Sequence, residues 1–305
     1  MEIFNIINFD LIPLTLRLAV PIALAAIGGT LSERSGIINI GLEGMMLTGA
    51  FGAVYGSFLT GSPWLGVMFA CFVGLIVGSI HAVLTIKYKA NQVVTGVGIN
   101  ILAMGFTTTM IKVIWGKEGM SGEVKNLSDI SIPILKEIPI IDWLFTDQSP
   151  LTYFMLIVVI LSWYILFKTN LGLNLRAIGD HPRAARISGI NVTKYRYICV
   201  MLSGLLAGLG GAFLSLVQNS LFVQNMTAGR GYMALAANIF GGWNPLGSFV
   251  ASLIFSFAQA IRFNMIGYNI PDQFIQSLPY ILTLAVLVGA GRKTRAPEAL
   301  GEINE

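Results

Sequence analysis

Asn39, Glu43, Asn100, Asn238 and Gln259 place amide or carboxylate side chains inside apolar runs of this 305-residue chain. A polar group in hydrocarbon is costly unless it is paired or wetted, so each is a candidate for lining a path through a membrane. Four of them are amides, which both donate and accept. Amides can replace the water around a neutral polar molecule without trapping a charge. Such a lining ill suits an ion-coupled carrier, which buries carboxylates or builds ion sites at broken helices; in that rival class Glu43 would be the coupling group. Glu43 itself has two readings. It stands about two turns into the second apolar run, with Asn39 one turn earlier on the same face, as a path residue would. Equally, it is a structural carboxylate tied to Arg34 or to neighbouring backbone near the inner interface.

Bond-making chemistry is not legible in the chain. It lacks a Gly-x-x-x-x-Gly-Lys-Ser/Thr phosphate loop, a Gly-x-Ser-x-Gly elbow and a His-Glu-x-x-His helix. His81, near the inner end of the third apolar run, and His181, in a basic segment, are too far apart to share a site and read as interfacial or surface residues. Cys71 and Cys199 each sit within an apolar run and read as small core residues, since a zinc site needs more clustered ligands. No cofactor and no metal is expected.

The elements that must position these residues are membrane helices. Hydrophobic residues make up 55% of the chain and charged residues 11%, against about a quarter charged in a soluble domain. The predicted fold is all-α and polytopic, a single transmembrane domain over residues 1–305, with spans at 11–31, 38–59, 64–86, 93–115, 151–167, 197–217, 246–262 and 276–290. With no basic residue before Arg17 and no small-residue cleavage site, the first run reads as a retained span. A ninth apolar piece, 232–242, is only about half a membrane thick at about 1.5 Å per residue and reads as a re-entrant or broken helix. The alternative is one long kinked span from 232 to 262.

Charge placement orients the spans. Lys87 and Lys89, the group Lys168, Arg176, Arg183, Arg186, Lys194 and Arg196, and the tail Arg292, Lys293 and Arg295 flank spans, which makes those loops cytoplasmic. The polar stretch 116–150 holds six acids against three lysines and falls outside. The net charge of +4 therefore reflects membrane orientation, not nucleic acid. Glycines at four-residue spacing, Gly52 with Gly56, Gly74 with Gly78 and Gly204 with Gly208, predict close helix packing. A faint internal echo, 35–44 against 228–237, places glycine before a small-residue helix twice with opposite orientation, as inverted repeats do.

One segment is out of character with the rest: Gly172 to Val192 is polar and basic between two long spans. It offers Arg176 and Asp180, then Pro182, suited to a first helical turn, then the small residues Ala184, Ala185, Ser188 and Gly189. Small residues permit close docking of a soluble partner; the alternative is a helix lying on anionic lipid.

Three passages together, Glu33–Met46, Asn91–Asn100 and Gly172–Ala185, resemble the permease subunits of bacterial ATP-binding-cassette importers. The likeness is to the branched-chain amino acid and ribose type, nearest to nucleoside permeases that work with a basic-membrane-protein lipoprotein receptor. The cytoplasmic helix resembles their coupling motif, Glu-Ala-Ala with glycine after three further residues: Ala184, Ala185 and Gly189 match, and Arg183 stands where many importers have glutamate. The resemblance implies a nucleoside importer of the bacterial cytoplasmic membrane, or in sister branches one for ribose-like sugars or branched-chain amino acids. It implies no ATPase of the chain's own. Its partners would be ABC ATPase subunits, which bind the ATP and press on Arg176, Asp180, Pro182, Ala184, Ala185 and Gly189, a related but different second permease subunit, an extracellular lipoprotein binding protein, and membrane lipid.

Overall fold

In a computed structural model the described residues are 11–130, 148–265 and 295–302. All regular elements among them are helical, and the extended contacts are isolated bridges, Met120 with Val223 and Ile130 with Gln148. In chain order the helices are α1 (Leu11–Arg34), α2 (Leu42–Thr60), α3 (Pro63–Ala82, continued as a π turn to Lys87), α4 (Gln92–Trp115), α5 (Pro150–Lys168), α6 (Asn170–Asp180), α7 (Pro182–Ile187), α8 (Val192–Phe213, continued as a π turn to Gln218), α9 (Arg230–Phe240) and α10 (Pro245–Asn264). Six of them, α1, α3, α4, α5, α8 and α10, are long and apolar enough to cross a membrane, with the π turns counted into α3 and α8. The expected span at 276–290 lies outside the described residues.

The bundle has a centre and a rim. In α1 and α8 the most apolar stretches are 78% and 83% buried, whereas that of α4 is 22% buried. Helices α1, α2 and α8 form the interior, and α3, α4, α5 and α10 pack around it. Glycine sets the closeness of this centre. A Cβ on Gly74 would collide with the Gly204 carbonyl, one on Gly49 with the Gly208 backbone, and one on Gly211 with the Met46 carbonyl. The spaced glycines at 74, 78, 204 and 208 thus bring α3 and α8 together backbone to backbone, while Gly52 and Gly56 admit Val73 and Phe69.

The second predicted span needs correction. Residues Ile37 to Ile40 are not helical, and α2 begins only at Leu42, so Glu43 lies in its first turn. Apolar letters alone could not show this. The extended entry is paid out into neighbours: the Ile38 amide donates to Gln92 Oε1 at 2.6 Å, and the Ile38 carbonyl meets His81 Nε2 at 3.1 Å. His81 is accordingly a wholly buried core histidine, not an interfacial one.

The ninth piece is a separate half-helix. Gly241 and Gly242 end α9, Trp243 adopts a φ of 53°, and Asn244 caps α10 through the Leu246 amide, so the long kinked span does not form. Chain polarity follows. Helix α8 ends beside the loop after α4, residues 219–229 descend without helix, α9 completes the crossing, and α10 returns. Unwound backbone inside a bundle needs partners, and the 119–127 loop supplies them: Ser121 N to Phe222 O, Val124 N to Ser220 O, Leu127 N to Leu216 O, and Gln224 N to Gly119 O, all between 2.8 and 2.9 Å. The same loop reaches Ser57 at the end of α2, and Arg17 pairs with Asp129 at 3.5 Å. It therefore sits at the end of the bundle opposite to Arg34, Lys87 and the α6–α7 pair, as the charge asymmetry requires.

Candidate functional site

Helix α9 is held at both ends by buried carboxylates. At its start, Glu43 Oε1 accepts from the Thr227 hydroxyl and from the Gly229 amide at 2.9 Å, and Oε2 accepts from the Gly231 amide at 2.6 Å. These amides belong to the N-terminal end of α9, where unpaired N–H groups and the helix dipole favour negative charge. The fit has no slack, because a Cβ on Gly231 would strike the Glu43 backbone nitrogen. The Glu43 carboxylate is tied to residues 227–231 and not to Arg34. The two halves of the faint internal echo are here in direct contact.

At the far end of α9, Glu33 Oε2 accepts from Asn238 Nδ2 at 2.8 Å and from the Trp243 indole N–H. Asn238 Oδ1 accepts from Thr30 Oγ1 at 2.7 Å. Arg34, one residue on, donates from Nε to the Trp243 carbonyl at 2.7 Å and from Nη2 to the Gly242 carbonyl at 3.3 Å. Glu33 was not among the path candidates; a glutamate at a helix end beside arginine reads as solvated until Asn238 and Trp243 are seen to close over it.

The remaining candidates divide. Asn39 is fully buried and donates to Ser203 Oγ at 2.9 Å and to Met45 Sδ, holding the entry to α2 against α8. Asn100 staples α4 to the same entry: its Oδ1 accepts from the Gly44 amide at 2.8 Å, and its Nδ2 donates to the Ile40 carbonyl at 3.0 Å and to the Tyr232 hydroxyl at 2.9 Å. It lies nine residues past the Asn91 cap, about 13 Å along α4 at about 1.5 Å per residue. Gln259 on α10 reaches the Met233 sulfur through Nε2 at 3.2 Å, and its Oε1 is buried with no partner. Glu43, Asn100 and Gln259 thus converge on the first turns of α9, while Asn238 faces Glu33 and Asn39 faces α8.

The candidates between Arg176 and Gly189 form one surface. Helices α6 and α7 meet at His181, whose Nε2 lies 3.4 Å from Glu298 Oε2, with both side chains exposed. Arg176 lies over the Phe167 ring at 5.3 Å, and Asp180 is half-buried beside a cleft shared with Pro182, Arg183, Ala184 and Glu298. Ala185 packs inward against Ile178 and Val192, whereas Arg183, Ala184, Ser188 and Gly189 face outward. Ile187 is 88% exposed, an apolar side chain projecting from a polar helix that the sequence reading passed over. Gly189 has open space around it and a φ of 84°, so glycine is needed there for conformation. Gly179 packs on the Arg34 carbonyl, Ala299 N donates to Gly179 O at 2.9 Å, and Gly301 N donates to Gly36 O at 3.0 Å. The helix pair, the 295–302 segment and the end of α1 are therefore stitched together. Cys71 is half-buried and Cys199 buried, both as free thiols, and among the described residues no cluster of three His, Cys, Asp or Glu could hold a metal ion.

Comparison with known proteins places this architecture. Residues 11–291 match the family described as branched-chain amino acid transport system, permease component. The guanosine ABC transporter permease protein NupQ of Bacillus subtilis is 40% identical over 99% of this chain and 98% of its own length. The nucleoside ABC transporter permease protein NupC of Lactococcus lactis is 38% identical over 92% of each chain, and the ribose import permease protein RbsC of Escherichia coli is 31% identical over 83% and 81%. With six apolar helices of spanning length among its described residues and a family match over nearly its whole length, the chain belongs to this permease family, as a multi-pass protein of the cytoplasmic membrane.

Proposed function

We propose that this chain is the membrane-spanning subunit of an ATP-binding-cassette importer that moves nucleosides into the cell. The observation that carries the reading is the near-full-length likeness to a guanosine permease and a nucleoside permease. The geometry supports the class. The buried carboxylates Glu33 and Glu43 accept from protein donors at three of their four oxygens, Glu43 at both, which suits structural clamps better than the exchanging carboxylate of an ion-coupled cycle. The chain acts as one domain, with eight spans, the half-helix α9 and a cytoplasmic coupling helix.

In this reading, ATPase subunits bind the ATP and dock on α7 and its flanks, Pro182 to Gly189, with Ile187 filling an apolar recess. Displacement of the helix pair passes through Gly179 to the end of α1, where Glu33 and Arg34 hold the foot of α9. An outer lipoprotein receptor delivers the solute at the 119–127 end, and a related but different permease completes the path. The neutral groups Asn100 and Gln259 stand where α9 starts, beside Arg230, so a nucleoside would meet amides there together with one guanidinium. Asn39 and Asn238 support that path from behind.

Uptake of labelled guanosine, adenosine, ribose and leucine by cells carrying the complete system, with and without this gene, tests the reading. Gene-dependent uptake of nucleosides is expected. Gene-dependent ribose or leucine uptake with no nucleoside uptake would overturn it in favour of a sister branch.

A further inference from the structure

Tyr232 is the one aromatic side chain on the first turn of α9, beside the Glu43 clamp. Its ring is 48% exposed although the helix starts within the depth of the bundle. Its hydroxyl is fixed from one side by Asn100 Nδ2 at 2.9 Å, and Asn100 is itself fixed by the Gly44 amide and the Ile40 carbonyl. The hydroxyl end of the side chain is therefore held in place by a group that is itself anchored on backbone. Among the described residues no acceptor is seen for the hydroxyl's own proton, which a lipid chain cannot supply. Two further polar atoms at the same end of α9 are buried without partners, Gln259 Oε1 and Arg230 Nε. Three unmet hydrogen-bonding positions around one helix end call for water or a polar solute, not for hydrocarbon.

We propose that Tyr232, held by Asn100, is a stacking platform for the base of a nucleoside on the translocation path. This rests on the nucleoside reading above and adds the residue that recognises the solute within the membrane. An aromatic face accepts every base, because each has a π-face, and it binds without the charge that would hold a solute too tightly for passage. The hydroxyl and the neighbouring amides are left for the ribose or for base edges. The bulk of selection can stay in the receptor, since a stacking surface discriminates little between bases.

The test uses the complete importer in cells, with Cys71→Ala and Cys199→Ala as background. Tyr232→Cys should react with a charged, water-soluble thiosulfonate, and saturating guanosine should slow that reaction about tenfold, whereas Ile160→Cys on the rim of α5 should not react. Tyr232→Leu should lower the maximal rate of guanosine uptake about tenfold, the lower range for loss of one base–aromatic stack, and Tyr232→Trp should restore most of it. Absence of reaction at Tyr232→Cys, or a reaction that guanosine does not slow, overturns the proposal. So does a Tyr232→Leu importer that moves guanosine at the normal rate. An unmutated importer that moves no nucleoside overturns instead the reading on which the proposal rests, and that result is seen before any variant is made.

Discussion

Helices α9 and α7 are both short pieces among long spans, yet they treat their polar atoms in opposite ways. Around α9 the ends are closed: Glu43 takes the amides at its start, and Glu33 and Arg34 take Asn238, Trp243 and Gly242 at its foot. Around α7 the ends are open to water, and the conspicuous group is Ile187 at its C-terminal end. A helix terminus away from water must bring its own partners. A helix in water needs none, so there it is an exposed apolar residue that asks for explanation. Function at α9 is therefore sought in what the clamp holds in place, and at α7 in what the surface leaves uncovered.

The contrast breaks most directly at Glu43. Glu43→Ala leaves the Thr227 hydroxyl and the Gly229 and Gly231 amides without their acceptor, at about 1–3 kcal/mol for each that stays buried and unpaired, seen as loss of folded protein in the membrane and a lower thermal midpoint in detergent. A Glu43→Ala protein as stable as the wild type would mean that α9 is not held by this carboxylate. Glu43→Gln keeps one carbonyl acceptor and should lie between the two.

A pair of glycines sharpens it. Gly231→Ala drives a methyl group into the Glu43 backbone and should cost about 1–3 kcal/mol or more. Gly189→Ala meets open space and pays only for its left-handed φ, about 1–2 kcal/mol. Both are read from unfolding in detergent, and Gly189→Ala should assemble with the ATPase while Gly231→Ala should not reach normal levels.

Ile187→Glu should change stability by less than about 0.5 kcal/mol, as exposed substitutions do, but abolish co-purification with the ATPase and solute-stimulated ATP hydrolysis. Normal transport by Ile187→Glu would remove this face from the coupling contact. The smallest perturbation is topological. With an impermeant thiol reagent on intact cells, Lys125→Cys should label and Arg183→Cys should not; the reverse result would invert the assignment of both regions.

The apolar runs made most of the bundle legible from the letters: α1, α3, α4, α5, α8 and α10 fall close to their expected limits. The half-helix was legible as well, because Gly229 and the Gly241–Gly242 pair bound a run too short to cross. The start of α2 was not. Ile37, Ile38 and Ile40 look like helix, and what unwinds them is tertiary: Gln92, His81 and Ser203 offer hydrogen bonds from three other parts of the chain. Asn100 was legible as a deep polar residue but not as a staple, so Asn100→Leu now carries a cost in stability as well as in rate. Glu33 and Tyr232 were invisible as site residues because each gains its meaning from a neighbour more than a hundred positions away.

The glycine seam among α2, α3 and α8 has a mechanical consequence. Side chains that interdigitate can ride over one another by changing rotamer, but a backbone carbonyl seated against a glycine Cα has no such freedom. At Gly49 with Gly208, Gly74 with Gly204 and Gly211 with Met46, sliding would require the helices first to separate. The three helices act as a stator, and the stroke of a transport cycle has to be taken up at its margins, by the remaining rim helices and by the short pieces that join them.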